Sequence, residues 1–207
     1  MKNIFTILLL SLLFTGCAIS EKSKTHELVI LHTNDHHGAI LPINSKGGLA
    51  QRSTYINSVK STSPNLLILD AGDMNTGSVV SDMFDALPDI KAYNAIGYDA
   101  VTLGNHEFDY GVDTLAQMLK DALFAVVSAN YDVTGTPLEN IVRPYVVLTR
   151  AGVRIGILGL GINPQGLIAE KNVAPVRDLE PIAAAQKAAN ELKEKHKCDV
   201  VICLSHL

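Results

Sequence analysis

Four apolar, β-prone runs in this 207-residue chain each end in acids, imidazoles or a carboxamide, and that repetition narrows the fold more than any other feature. "ELVILHTND" runs into Asp35-His36-His37, and "NLLILDAGD" (65–73) into Asp70-Ala71-Gly72-Asp73. "DAVTLGNHEFD" leads to Gly104-Asn105-His106-Glu107-Phe108-Asp109, and "CDVVICLSHL" closes on Ser205-His206. Helical patterns lie between these runs. Residues 49–60 place Leu49, Ile56 and Val59 on one face, and 88–97 open with Pro88 and space Ile90, Tyr93 and Ile96 about a turn apart. Asp113 is placed to cap a helix carrying Leu115, Met118 and Leu119. "YVVLTRAGVRIGILGLG" (145–161) reads as a β-hairpin turning at Ala151-Gly152, and residues 181–197 as the longest helix. Alternating strands and helices with one hairpin predict an α/β protein with a mixed sheet or sheets. In open α/β sheets the strand C-termini share an edge where ligands bind, so residues from Asp35 to His206 are expected to converge.

The residue types at those ends agree with one chemistry. Carboxylates, imidazoles and a carboxamide suit a borderline-hard divalent ion, and thiolates are absent from all four ends. Asp35 and His37 are two apart, so an extended backbone would aim both to one side and turn His36 away. Asp73 has two oxygens with which to join two cations. Gly38, Gly72 and Gly104 are expected to permit tight turns beneath the site. A lone Asp at a strand end is a turn or cap residue, the expectation for Asp70. His32, His36 and His196 are expected to be structural or solvated, and Glu107 to stay out of any metal shell.

"HTNDHHG", "DAGD", "GNHEFD" and "SHL", in this order and spacing, resemble the signature segments of the 5′-nucleotidase family within the calcineurin-like metallophosphoesterases. The resemblance runs from about residue 27 onward and implies an αββα sandwich, two sheets flanked by helices, that carries two divalent metal ions of Zn, Mn, Mg or Co type. It implies that Asp35 and His37 hold the first metal, that Asp73 bridges, and that Asn105 and His206 hold the second. His106 is the implied catalytic histidine, paired with Asp109. The implied function is a metal-dependent nucleotide phosphohydrolase in which a hydroxide generated at the metals attacks phosphorus in line. Nucleotides or nucleotide sugars are the implied substrates, 2′,3′-cyclic nucleotides included. The alternatives are a metallophosphoesterase with a non-nucleotide substrate and an inactive surface lipoprotein on the same scaffold. The family pattern continues past Ser205-His206 to a G-H-x-H segment. Residues 28–207 are therefore expected to form a partial domain with each metal one protein ligand short, and a nucleotide-binding domain is expected outside this chain.

The N-terminal residues form a separate unit. Lys2 and the apolar run Ile4–Phe14 read as an export signal over residues 1–16, too short to span a membrane. "LFTGC" resembles a bacterial lipobox, with Phe14 where Leu is preferred, so Cys17 is the expected lipidation site; a plain secretory peptide is the competing reading. Residues 17–27 read as a polar tether. The expectation is an exported, monomeric bacterial lipoprotein, periplasmic or on the cell surface, anchored through Cys17. A net charge of −4 and 5% aromatic residues without Trp argue against nucleic-acid partners. Cys198 and Cys203 are expected either as buried thiols or as a disulfide.

Overall fold

The computed structural model describes residues 27–207, so the expected export signal, Cys17 and nearly all of the tether lie outside the described residues. The chain runs through β1 (Val29–Thr33), α1 (Leu49–Thr62), β2 (Leu66–Asp70), α2 (Val79–Met83), α3 (Leu87–Ile96) and β3 (Ala100–Thr102). A 3-10 turn over His106–Phe108 leads to α4 (Val112–Leu119), β4 (Ala125–Val127) and the two-residue strands β5 (Tyr131–Asp132) and β6 (Val142–Arg143). Then come β7 (Tyr145–Arg150), β8 (Val153–Gly161), α5 (Glu170–Val173), β9 (Arg177–Asp178), α6 (Pro181–Asn190) and β10 (Val200–His206).

Strands β1-β2-β3-β4-β6 form a five-stranded, all-parallel sheet in that order. A second sheet has the order β10-β8-β7, with β10 parallel and β7 antiparallel to β8. Strand β2 shows how the layers stack. Its five residues are all buried, as a continuous apolar run predicts for a strand covered on both faces. Leu66 and Ile68 pack with Ile90, Tyr93 and Leu115 of the helical layer, whereas Leu67 and Leu69 pack with Ile155, Ile157 and Leu204 of the second sheet. Leu158 and Leu160 on the outer face of β8 are covered by Ala188 and Leu192. The order helix–sheet–sheet–helix is the expected sandwich. The sheets approach so closely at Gly159 that a Cβ there would fall on the Val127 carbonyl.

Local details both agree with and depart from the sequence pattern. The hairpin turns at Ala151 (φ 53) and Gly152 (φ 81), two left-handed residues in the type I′ manner that matches strand twist. Helix α3 begins at Leu87 with Pro88 in its first turn, and Ile90, Tyr93 and Ile96 are buried as expected. Asp113 does not cap α4; Gly111 occupies that position at φ 85, and Asp113 adds its charge to the first turn instead. The long C-terminal helix is α-helical only to Asn190 and continues as a π turn over Glu191–Lys195, which buries Leu192 over Gly156. Cys198 and Cys203 are both free, the first half-buried and the second exposed, so neither the disulfide nor a pair of buried thiols forms.

Candidate metal centre

Strands β1, β2 and β3 lie side by side and parallel, so the loops leaving them share one edge. The loop after β1 is laced to the loop after β2 by backbone bonds from Asp35 N–H to the Gly72 carbonyl (2.9 Å), His37 N–H to the Asp73 carbonyl (3.0 Å) and Gly38 N–H to the Met74 carbonyl (3.0 Å). Asp35 (φ 50), His37 (φ 49) and Asp73 (φ 56) are all left-handed, a conformation that non-glycine residues rarely hold without compensation. The extended backbone expected through Asp35–His37 is thus absent, since β1 ends at Thr33. His36 is nonetheless turned inward and buried, because the left-handed residues on either side rotate it out of the ligand row.

Asp73 is the hub. Its Oδ1 accepts the His106 N–H at 2.9 Å. Its Oδ2 lies 3.2 Å from His206 Nε2 and 3.9 Å from His37 Nε2. Asp35 Oδ1 stands 3.6 Å from the same His37 nitrogen. Both imidazoles have their other nitrogen engaged, His37 Nδ1 with the Thr76 carbonyl (3.2 Å) and His206 Nδ1 with the Ala71 carbonyl (2.8 Å). Each ring therefore donates through Nδ1 and turns Nε2 toward Asp73, the arrangement found when histidines ligate metals. Two groupings have ligand atoms within 4.8 Å of one another, Asp35 with Asp73 and His206, and His37 with Asp73 and His106. This donor set fits a pair of divalent cations.

The electrostatics report the same crowding. Burial works against the ionised form of Asp73, but its bonds with His206 and the His106 N–H outweigh that and hold its carboxyl below the usual range. The hydrogen bond to Asp73 pushes His206 up to about 9. His106 donates through Nδ1 to Asp109 Oδ2 at 2.7 Å; partial burial lowers its affinity for a proton, but Asp109 raises it further. His106 also lies edge-on to the His37 ring, 4.9 Å away. Asn105, half-buried, immediately precedes His106 at the entry to the 3-10 turn. A cleft of about 590 Å³ opens beside Asp35 and His37, walled by Ile40, Leu41, Ile43 and Val79.

Gly72 is left-handed (φ 98), and a Cβ there would stand 2.6 Å from the Gly104 nitrogen and 3.1 Å from the His206 ring. Gly104 has no positive φ. It is needed for space, because a Cβ would fall on the Asp73 carboxylate.

Glu107 belongs to neither grouping, and its task has no local sequence signal. Its buried carboxylate accepts N–H bonds from Asp73 (3.0 Å), Met74 (2.7 Å) and Gly104 (2.6 Å), pinning two ligand loops together. Burial and the nearby Asp73 charge push it up to about 7 despite those three donors. Glu107→Gln is expected to destabilise the fold by about 2–4 kcal/mol, because an amide NH₂ would face backbone donors and leave buried groups unpaired. Urea denaturation checks this; an unchanged midpoint would remove the role. Asp70 is likewise more than a turn residue. It is buried and accepts bonds from Thr33, Tyr93 and the Gly72 N–H, with burial pushing it up to about 6. His32 is exposed on β1, and His196 meets the Tyr145 hydroxyl at 3.1 Å.

Comparison with known proteins agrees with this geometry. The sequence profile of the Calcineurin-like phosphoesterase family matches residues 28–207. The chain is 37% identical over 206 residues to a 5′-nucleotidase of Vibrio cholerae, a match covering 93% of this chain and 36% of that protein. Its fold is similar to the 5′-nucleotidase precursor of Thermus thermophilus (TM-score 0.78, 36% identity, covering 87% of this chain and 37% of that one). It is also similar to the NAD nucleotidase of Haemophilus influenzae (TM-score 0.76, 32% identity, 86% and 34%). The chain thus spans little more than a third of the length of these relatives. With the profile match running from residue 28 to 207 and so taking in all four polar strand ends, the chain belongs to the calcineurin-like phosphoesterase family.

Proposed function

We propose that this chain carries the metal-binding part of a phosphohydrolase that releases phosphate from nucleotides, in the manner of a 5′-nucleotidase. The observation that carries the proposal is Asp73 Oδ2 standing between the Nε2 atoms of His37 and His206, with both rings held from behind. The family resemblance supports Asp35, His37 and Asp73 for one divalent ion and Asp73, Asn105 and His206 for a second, a division that regroups around the shared Asp73 the two clusters whose ligand atoms lie within 4.8 Å of one another. When bound, such ions of Zn, Mn, Mg or Co type offset charge on the phosphoryl oxygens and lower the pKa of a water.

The remaining work falls to the protein. His106 holds a proton at Nε2 for the departing alkoxide oxygen, and Asp109 fixes the ring through Nδ1. The apolar cleft beside Asp35 gives the leaving group a wall. Similarity to 5′-nucleotidases and an NAD nucleotidase supports nucleoside 5′-monophosphates as the substrate class, with nucleotide sugars and 2′,3′-cyclic nucleotides open to the same chemistry. The relatives' greater length supports a domain arrangement in which residues 28–207 supply the ligand loops and a further domain selects the nucleoside. The intact protein is expected to release phosphate from AMP and to lose that activity on chelation, with recovery on adding Mn²⁺ or Zn²⁺. Turnover that survives complete metal removal would overturn the proposal.

Among the described residues no helix is long and apolar enough to cross a membrane. The small residues before Cys17 support an anchor through that thiol, and the apolar run before it supports export. Labelled palmitate should enter the wild-type protein in a bacterial host and not Cys17→Ser; equal labelling would remove the anchor.

A further inference from the structure

Beneath the ligand loops lies a run of buried and half-buried polar groups with no part in the proposed chemistry. Arg52, on α1, reaches His36 Nδ1 with Nη2 (2.9 Å) and the Tyr98 hydroxyl with Nη1 (3.0 Å), and touches the Tyr93 hydroxyl at 3.5 Å. A guanidinium has no lone pair to offer, so each of these bonds runs outward from Arg52. His36 Nδ1 is therefore the acceptor and the ring proton sits on Nε2. That Nε2 has no hydrogen-bond partner among the described residues, which leaves Arg52 as the polar tether of the buried ring.

The other arm of the run is equally one-directional. Thr33 and Tyr93 both donate to Asp70 Oδ2. The Thr33 proton is thereby committed, so the Tyr98 hydroxyl, 2.8 Å away, donates to the Thr33 oxygen. Asp70 Oδ1 takes the Gly72 N–H at 2.9 Å. Bonds thus pass without reversal from the Arg52 guanidinium to the Asp70 carboxylate. One end of the run grips His36, between Asp35 and His37; the other grips Gly72, the residue before Asp73.

We propose that Arg52 is a positioning residue for the metal centre, acting through His36. Three ligand residues sit in a backbone conformation they do not favour by themselves, and His36 is the point at which the first ligand loop is tied to the interior. Holding that ring from below fixes how far apart Asp35 and His37 stand. This rests on the reading of Asp35, His37 and Asp73 as metal ligands.

Calorimetric titration of the chelator-stripped full chain with Mn²⁺, paired with thermal melting in chelator, tests it. His36→Leu removes the acceptor, whereas His36→Asn keeps an oxygen close to where Nδ1 stood. Arg52→Lys keeps the charge but loses the second donor arm. His36→Leu and Arg52→Lys are expected to weaken Mn²⁺ binding by about 10- to 100-fold, the range for outer-shell partners, with His36→Asn close to wild type. Metal-free melting curves show which variants are folded at the titration temperature, so that affinities are compared between folded chains, and if His36→Leu fails to fold, Arg52→Lys against His36→Asn gives the same comparison. Wild-type affinity in both weakened variants, or equal losses in His36→Asn and His36→Leu, overturns the inference while sparing the metal centre. A wild-type chain that binds no Mn²⁺ overturns both.

Discussion

Replacing His106 by alanine is expected to lower phosphate release by about 10²- to 10⁴-fold, the contribution of a positioned acid or base, while leaving Mn²⁺ affinity near wild type. Two roles compete for this side chain. Its ring lies edge-on to His37, and it shares a possible ligand cluster with His37 and Asp73. Its Nδ1 is bound to Asp109 and its own N–H to Asp73 Oδ1, so the residue already braces the bridging carboxylate through its backbone. Alanine preserves that backbone bond. Loss of turnover with metal retained identifies the imidazole as the proton donor, whereas parallel loss of metal makes it a ligand. Asp109→Asn adds the sign in pH. Against the effect of burial, Asp109 is the largest of the groups that lift His106 above its ordinary value, ahead of Asp73 and Glu107, so without it the proton leaves at lower pH. The alkaline limb of kcat/KM should move to lower pH; a limb that stays in place detaches Asp109 from the reaction.

Asp73→Asn is expected to weaken divalent-metal binding at least about 100-fold and to abolish turnover with it. Asparagine tolerates left-handed backbone and keeps an oxygen to accept the His106 N–H, so the loop at φ 56 should survive. What disappears is the charge on the oxygen between His37 and His206. The same change should return His206 toward its ordinary proton affinity, because the bond to Asp73 is the main cause of its elevation. Proton NMR of the metal-free variant would follow that shift. Retained Mn²⁺ affinity would mean that Asp73 is structural and that the ligand assignment built around it fails.

The strand ends were legible because hydrophobic runs and their polar termini are local patterns. Leu66–Asp70 is fully buried as its apolar run implies, and Ala151-Gly152 turns the hairpin as its short break implies. Strands β5, β6 and β9 were not legible. Each has two residues and exists only because a distant partner supplies hydrogen bonds, as Asp178 does for Tyr131. The polar row is visible as residue types, but its two-residue spacing implies an extended backbone that the loop does not have. His36 turned away for a different reason, a left-handed residue on each side. Arg52 and Glu107 carried no signal, since their partners lie on loops and helices that meet only in three dimensions. Glu107 binds backbone amides, which every sequence has, so no pattern of side chains could mark it.

The left-handed backbone at Asp35, His37 and Asp73 bears on how this protein would respond to laboratory evolution. At Asp73 and His37 the side chain braces its neighbours, through the His106 N–H and the Thr76 carbonyl, but the exposed Asp35 carboxylate accepts no backbone N–H, so glycine at Asp35 would relax the loop without a lost brace. A library sorted for heat resistance alone would drift toward glycine at Asp35 and become sturdier as that carboxylate vanished. Thermostability screens of this fold therefore need a metal-binding readout alongside the melting curve, or the selected winners will be well-folded proteins with no chemistry left.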